Sequence, residues 1–199
     1  MDYAVTVYLI RHARTKSNVE HRYLGWTDEE ILPNQDLPVI SRYGKVAFGS
    51  DLKRCRQTAK LYFPSAAYYS DAGFRESNFG EFEGKTYDDL KEIPQYRKWI
   101  DDPTHLAPPA GETLVEVTKR CMAAFRRLPK DFDLYPLLLH GGTIRTLLVQ
   151  LAPEPSEFWD WHVSHDELFK LQWTTKEDFK EGKRCTSLSV VPITANMNM

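Results

Sequence analysis

A chain of 199 residues, 42% apolar and 27% charged with a net charge of −2, has the make-up of a single soluble domain spanning residues 1–199 and long enough to bury a core. The near-neutral balance and the lack of a long basic run argue against a nucleic-acid partner, and no apolar run has the length of a membrane span. Cys55, Cys121 and Cys185 are odd in number, far apart and without metal-ligand spacing, which predicts reduced thiols in a cytoplasm and no disulfide framework.

In chain order, Thr6 to Ile10 is β-branched and aromatic and reads as a buried strand. It runs directly from the amino terminus, without the basic and then apolar segments of a signal peptide. The strand breaks into Arg11-His12-Ala13 and a polar turn through Asn18. Ligands of open α/β sheets bind beyond the carboxyl ends of the strands, so a cation beside an imidazole at this point can hold and attack an anion. Val19 to Asp28 reads as a loop in which Gly25 lets the backbone approach a ligand closely. Pro33 and Pro38 argue against a useful helix between Leu32 and Gly44.

Lys45 to Gly49 predicts a second strand, Ser50-Asp51 a helix start, and Leu52 to Tyr62 the helix itself, with Arg54 in its first turn. Ala66 to Tyr69 reads as a third strand. The irregular stretch Phe74 to Gly84 carries three glutamates, Glu76, Glu81 and Glu83, among which spacing alone does not choose a proton donor. Two short helices meet at Pro94 between Tyr87 and Ile100. A helix from Glu112 to Leu128 has Leu114, Val117, Cys121, Phe125 and Leu128 on one face. Leu134 to Leu139 is a strand that ends in His140-Gly141-Gly142, and a helix follows with Ile144, Leu147, Leu148 and Leu151 inward. Glycines at such a junction let backbone N–H groups face an anion. The remainder reads as a Trp-rich helix around Phe158 to Trp161, its aromatics in the core, followed by strands at Glu167 to Trp173 and Cys185 to Ile193.

The order of these features resembles the histidine phosphatase superfamily, through Arg11-His12-Ala13 with Thr15 and Asn18, Arg54 in Ser50 to Ala59, Glu76 in Arg75 to Gly84, and His140 in Leu139 to Arg145. The last third resembles the α-ribazole phosphatase branch more loosely, through Phe158-Trp159. The resemblance implies an α/β fold with a mostly parallel central sheet between helices on both faces, a phosphoglycerate-mutase-like three-layer sandwich. It implies phosphomonoester hydrolysis through a phosphohistidine on His12. Arg11, Arg54 and His140 would stabilise the equatorial oxygens, and Glu76 would act as proton donor. Asn18, Arg22, Gly25, Gly141, Glu112 and Thr113 would line the substrate pocket. No cofactor or metal is expected, because the arginines supply the positive charge. The partner is then a small phosphorylated metabolite, with α-ribazole 5′-phosphate as a first candidate. A phosphoglycerate mutase and a non-catalytic phospholigand-binding protein are the alternatives. Two departures stand out. Ala13 occupies a place commonly held by glycine. The family's helix before the second strand is missing or truncated at Leu32 to Gly44, which predicts an uncovered patch buried by a second subunit in a homodimer.

Overall fold

The computed structural model describes residues 3–40 and 45–193. Six strands form one sheet: β1 (Val5–Arg11), β2 (Val46–Gly49), β3 (Ala67–Ser70), β4 (Leu134–Leu139), β5 (Glu167–Trp173) and β6 (Ser187–Pro192), in the spatial order β3-β2-β4-β1-β5-β6. β1, β2, β3 and β4 are mutually parallel, and β5 lies antiparallel between β1 and β6. This is the α/β, mostly parallel architecture expected.

The two central strands read as unbroken apolar runs because both faces are covered. Val5, Val7 and Leu9 of β1, with Leu137 and Leu139 of β4, face one core layer. Helices α5 (Leu114–Arg127), α6 (Gly141–Leu151) and α7 (Lys176–Glu181) contribute Phe125, Leu148 and Phe179 to that layer. Tyr8, Ile10 and Leu138 point the other way, onto Cys55, Ala59 and Tyr62 of α2 (Lys53–Tyr62). A third small cluster joins Phe82 and Leu90 to Tyr96 of α4 (Pro94–Asp101).

The chain leaves β1 towards β2 on one side and leaves β4 towards β5 on the other. The crevice at the carboxyl ends of the adjacent strands β1 and β4 is therefore the topological switch point, where open α/β sheets bind ligands.

Several local expectations need correction. Ser50 and Asp51 do not cap α2: its N-cap is Leu52, without a side-chain bond. Asp51 instead holds Arg75 through two bonds of 2.6 and 2.7 Å. The two short helices expected around Pro94 are present, α3 being Tyr87–Leu90 and Pro94 beginning α4. The turn after His12 contains a short helix, α1 (Lys16–Val19), closed by a Thr15–Asn18 capping box. Phe158–Asp160 is a single 3₁₀ turn, and α7 was not anticipated. Residues 32–40 contain no helix, and 41–44 lie outside the described residues. Ile40 is buried against α2, its N–H bonded to Tyr62 O at 2.8 Å. A groove between α2 and the β2–β3 edge is lined by Ala47, Ala59 and Phe63, all three of them buried.

Candidate active site

β1 delivers Arg11 and His12 to the crevice, and β4 delivers His140, which is also the N-cap residue of α6. The two imidazoles meet edge to face with centroids 5.1 Å apart. The His12 Nδ1–H donates to the carbonyl of Ala13 at 2.7 Å, which leaves the lone pair on Nε2. Burial, aided by Arg54 and Arg11, holds the His12 pKa well below the ordinary histidine value. The ring is therefore neutral and nucleophilic at physiological pH. His140 is likewise held neutral by burial and then by Arg54. Its Nδ1 accepts from Arg54 Nε at 3.1 Å, and its Nε2 lies 3.6 Å from Cys55 Sγ.

Arg54 has no exposed surface. Its Nη2 donates to Gly25 O at 2.6 Å and its Nη1 to Thr27 O at 2.9 Å. Thus a cation from the helix after β2 is tethered to the loop after β1. Arg11 donates from Nη1 to Val163 O at 2.8 Å, while its Nε is buried without a hydrogen-bond partner among the described residues. Two guanidiniums beside a neutral imidazole, one with a spare donor, suit a bound phosphoryl group.

Glu76 faces the same cavity. Its Oε2 accepts the Gly142 N–H at 2.8 Å and its Oε1 the N–H of Ser77 at 2.9 Å. A Cβ on Gly142 would overlap Glu76 Oε1, so only glycine admits this approach. The Glu76 carbonyl is fixed as well, by Arg120 Nη2 at 2.7 Å and Trp26 Nε1 at 3.0 Å. Arg120 is in turn clamped by Glu112 through bonds of 2.8 and 2.9 Å.

The cavity, about 350 Å³, is lined by Arg11, His12, Asn18, Arg22, Glu76, Glu112 and Gly141 among others. Two expected pocket residues are placed elsewhere. Gly25 does approach another backbone closely, but that backbone is Ser77, and the glycine's carbonyl serves Arg54. The Thr113 hydroxyl is spent on the capping box of α5. Glu112 lines the cavity with both oxygens already engaged, so it holds Arg120 rather than offering a free acceptor.

Sequence reasoning missed Arg145, Trp26, Arg120 and His165. Arg145 follows Gly141 by one helical turn and lines the cavity; that spacing was the available signal. Its guanidinium lies 5.6 Å from the ring centre of Phe158 and 5.4 Å from that of Trp159. Those two rings line the cavity, and Trp159 is 68% exposed, so the expectation that they belong to the core fails. Trp161 alone of that group packs on the core. His165 Nδ1 donates to the His12 carbonyl at 2.7 Å, and burial lowers its pKa to about 4.

A tautomer-fixed neutral imidazole, the Arg11 guanidinium and the Glu76 carboxyl group on one cavity, with the fully buried Arg54 bonded to His140 next to them, form a site suited to phosphoryl transfer. Comparison with known proteins agrees. The model of the histidine phosphatase superfamily (branch 1) matches residues 7–182, and the chain belongs to that family. Its members are phosphatases or mutases acting on small phosphorylated substrates, so the chain is a phosphoryl-transfer enzyme. Among curated relatives, the probable phosphoglycerate mutase GpmB of Escherichia coli O1:K1 / APEC is 30% identical, covering 72% of each chain. The 2,3-bisphosphoglycerate-dependent phosphoglycerate mutase 2 of Gloeobacter violaceus is 26% identical, covering 75% of this chain and 78% of that one. The α-ribazole phosphatase of Shigella flexneri shares the fold with a TM-score of 0.78 at 20% identity, covering 98% of this chain and 99% of the other. No helix among the described residues is long and apolar enough to cross a membrane.

Proposed function

We propose that the protein hydrolyses a small-molecule phosphomonoester in two steps. In the first, Nε2 of His12 attacks phosphorus in line with the ester oxygen; the P–N bond forms as the P–O bond breaks. Glu76, protonated, gives its proton to the departing alkoxide, which would otherwise be a poor leaving group. In the second, Glu76 takes a proton from water as that water attacks phosphorus. The P–N bond breaks, inorganic phosphate leaves and both residues return to their starting states. Arg11 and Arg54 stabilise the charge on the three equatorial oxygens, each worth roughly 3–4 kcal/mol of barrier by comparison with single oxyanion-hole donors. His140 keeps Arg54 aimed, accepting from its Nε.

The observation that carries this reading is the His12 imidazole, neutral and bonded through Nδ1 to its neighbour's carbonyl, beside the buried Arg54 and the half-buried Arg11. The names of the curated relatives favour a second reading, return of the phosphoryl group to an isomeric acceptor. Product analysis separates the two. With EDTA present, the enzyme is expected to release free phosphate from α-ribazole 5′-phosphate. His12→Ala is expected to lose at least about a thousandfold in kcat, as removal of a nucleophile should. Isomerised phosphoglycerate without net phosphate release would establish the mutase. Loss of turnover on chelation would defeat both.

A further inference from the structure

Attack by His12 requires Nε2 to stay unprotonated and aimed, and the positive charge that the ring gains as the P–N bond forms to be met at Nδ1. Both depend on the Ala13 carbonyl, which accepts the Nδ1–H. Side chains from elsewhere in the chain hold the backbone around that carbonyl. Gln35 Oε1 accepts the Arg14 N–H at 3.0 Å, in the same peptide unit as the Ala13 carbonyl. One unit earlier, the Thr58 hydroxyl accepts the Ala13 N–H at 2.8 Å, and His165 Nδ1 donates to the His12 carbonyl at 2.7 Å. Thr58 and His165 thus grip opposite ends of the His12–Ala13 peptide. Thr58 also donates to Arg54 O within α2, and Gln35 also donates to the Leu32 carbonyl. The His165 ring has no second hydrogen bond among the described residues, and it stands edge to face with the His12 ring, centroids 5.8 Å apart. The β1–β5 ladder makes its last pairing at Ile10 and Leu168. The His12 carbonyl lies past that pairing, and an imidazole supplies the bond instead.

We infer that His165 is a positioning residue for the nucleophile: with Thr58 it fixes the His12–Ala13 peptide, which keeps the Ala13 acceptor at Nδ1 and Nε2 of His12 aimed into the cavity. The inference rests on the reading of His12 as the nucleophile and adds a residue to the machinery that holds it. An acceptor already in place needs no rearrangement as charge develops on the ring, and a small misplacement of a reacting atom is costly in rate.

The test separates the donor from the ring. Asparagine offers an amide N–H near the place of Nδ1, whereas phenylalanine keeps the bulk of the ring without a donor. With p-nitrophenyl phosphate as probe, His165→Phe is expected to lower kcat about tenfold with KM within about twofold of the parent, and His165→Asn to recover kcat to within about threefold. Nitrogen NMR of isotopically labelled protein gives a readout apart from turnover. The ring nitrogens of His12 should resonate far apart in the parent and in His165→Asn, and draw together in His165→Phe as the tautomers mix. The parent itself should show a scalar coupling across the hydrogen bond from His165 Nδ1 to the carbonyl carbon of His12, which requires no variant to fold. Absence of that coupling, a His165→Asn enzyme no better than His165→Phe, or a raised KM at unchanged kcat would overturn the inference. Should no phosphomonoester turn over while the coupling is present and the His12 tautomer responds as expected, the positioning role stands and the hydrolytic reading falls.

Discussion

Gly141 and Gly142 look alike in sequence, yet their surroundings differ. A Cβ at Gly141 would meet only the Arg11 guanidinium, at an ordinary 3.5 Å, whereas one at Gly142 would overlap the Glu76 carboxyl group. Gly142→Ala is therefore expected to displace Glu76 and lower kcat at least about tenfold, while Gly141→Ala leaves the melting temperature close to that of the parent. Steady-state kinetics and calorimetry on the pair check both halves. At this scale much of the site was legible. Arg11, His12 and His140 announce themselves because they stand where apolar strands stop. Glu76 could not be picked from Glu81 and Glu83 by spacing; resemblance pointed to it, and the fold brings it onto the Gly142 amide. Arg120 and Trp26 were not legible, because their bonds run to the Glu76 carbonyl, a group no side-chain pattern reports.

Elements long and apolar enough to impose a period were found from sequence, as were the short strands β2 and β3, whereas the short helices α1 and α7 were not. β1 and β4 declare themselves by unbroken apolar runs, and α5 by its stripe of Val117, Cys121 and Phe125. Leu114 continues that stripe but lines the cavity instead, since the helix begins at the mouth. α7 holds one buried residue, Phe179, in six, so no periodicity could betray it. Its signals were the ends: Thr175 caps it, and Gly182 closes it in the left-handed conformation. Phe179 packs on Tyr135 and Trp173 with ring centroids at 4.7 and 5.5 Å. Phe179→Ala is expected to cost about 3–5 kcal/mol and Thr175→Ala about 1 kcal/mol in denaturant-induced unfolding. A loss below about 1 kcal/mol for Phe179→Ala would mean that α7 contributes little to the core.

For the molecule as a whole, three neutral histidines gathered at one end of the sheet set its response to acid. His12, His140 and His165 all bind protons less readily folded than unfolded, chiefly through burial. Below the ordinary histidine pKa, near 6.5, the unfolded chain holds the extra protons, so stability rises with pH and falls on acidification. The His165 share is complete above about pH 6.5 and is lost down to about pH 4, where the folded group also titrates. The other two continue the decline further. Melting temperatures should hold from pH 7.5 to about 6.5 and fall from there to pH 4.5, and His165→Gln should make that fall shallower. An unchanged melting temperature across the range would contradict the burial of these rings. Composition bounded the class of protein but could not foresee this, because the clustering depends on strands that are remote in sequence lying side by side.

The tether between Arg54 and the Gly25–Thr27 carbonyls couples two parts of the chain that enter the fold separately. Neither the first strand nor the second helix can supply half a catalyst. With one of them undocked, the guanidinium has no seat and the loop no anchor. Turnover should thus return in refolding only when the whole sheet has closed, which makes enzymatic activity a direct count of native molecules.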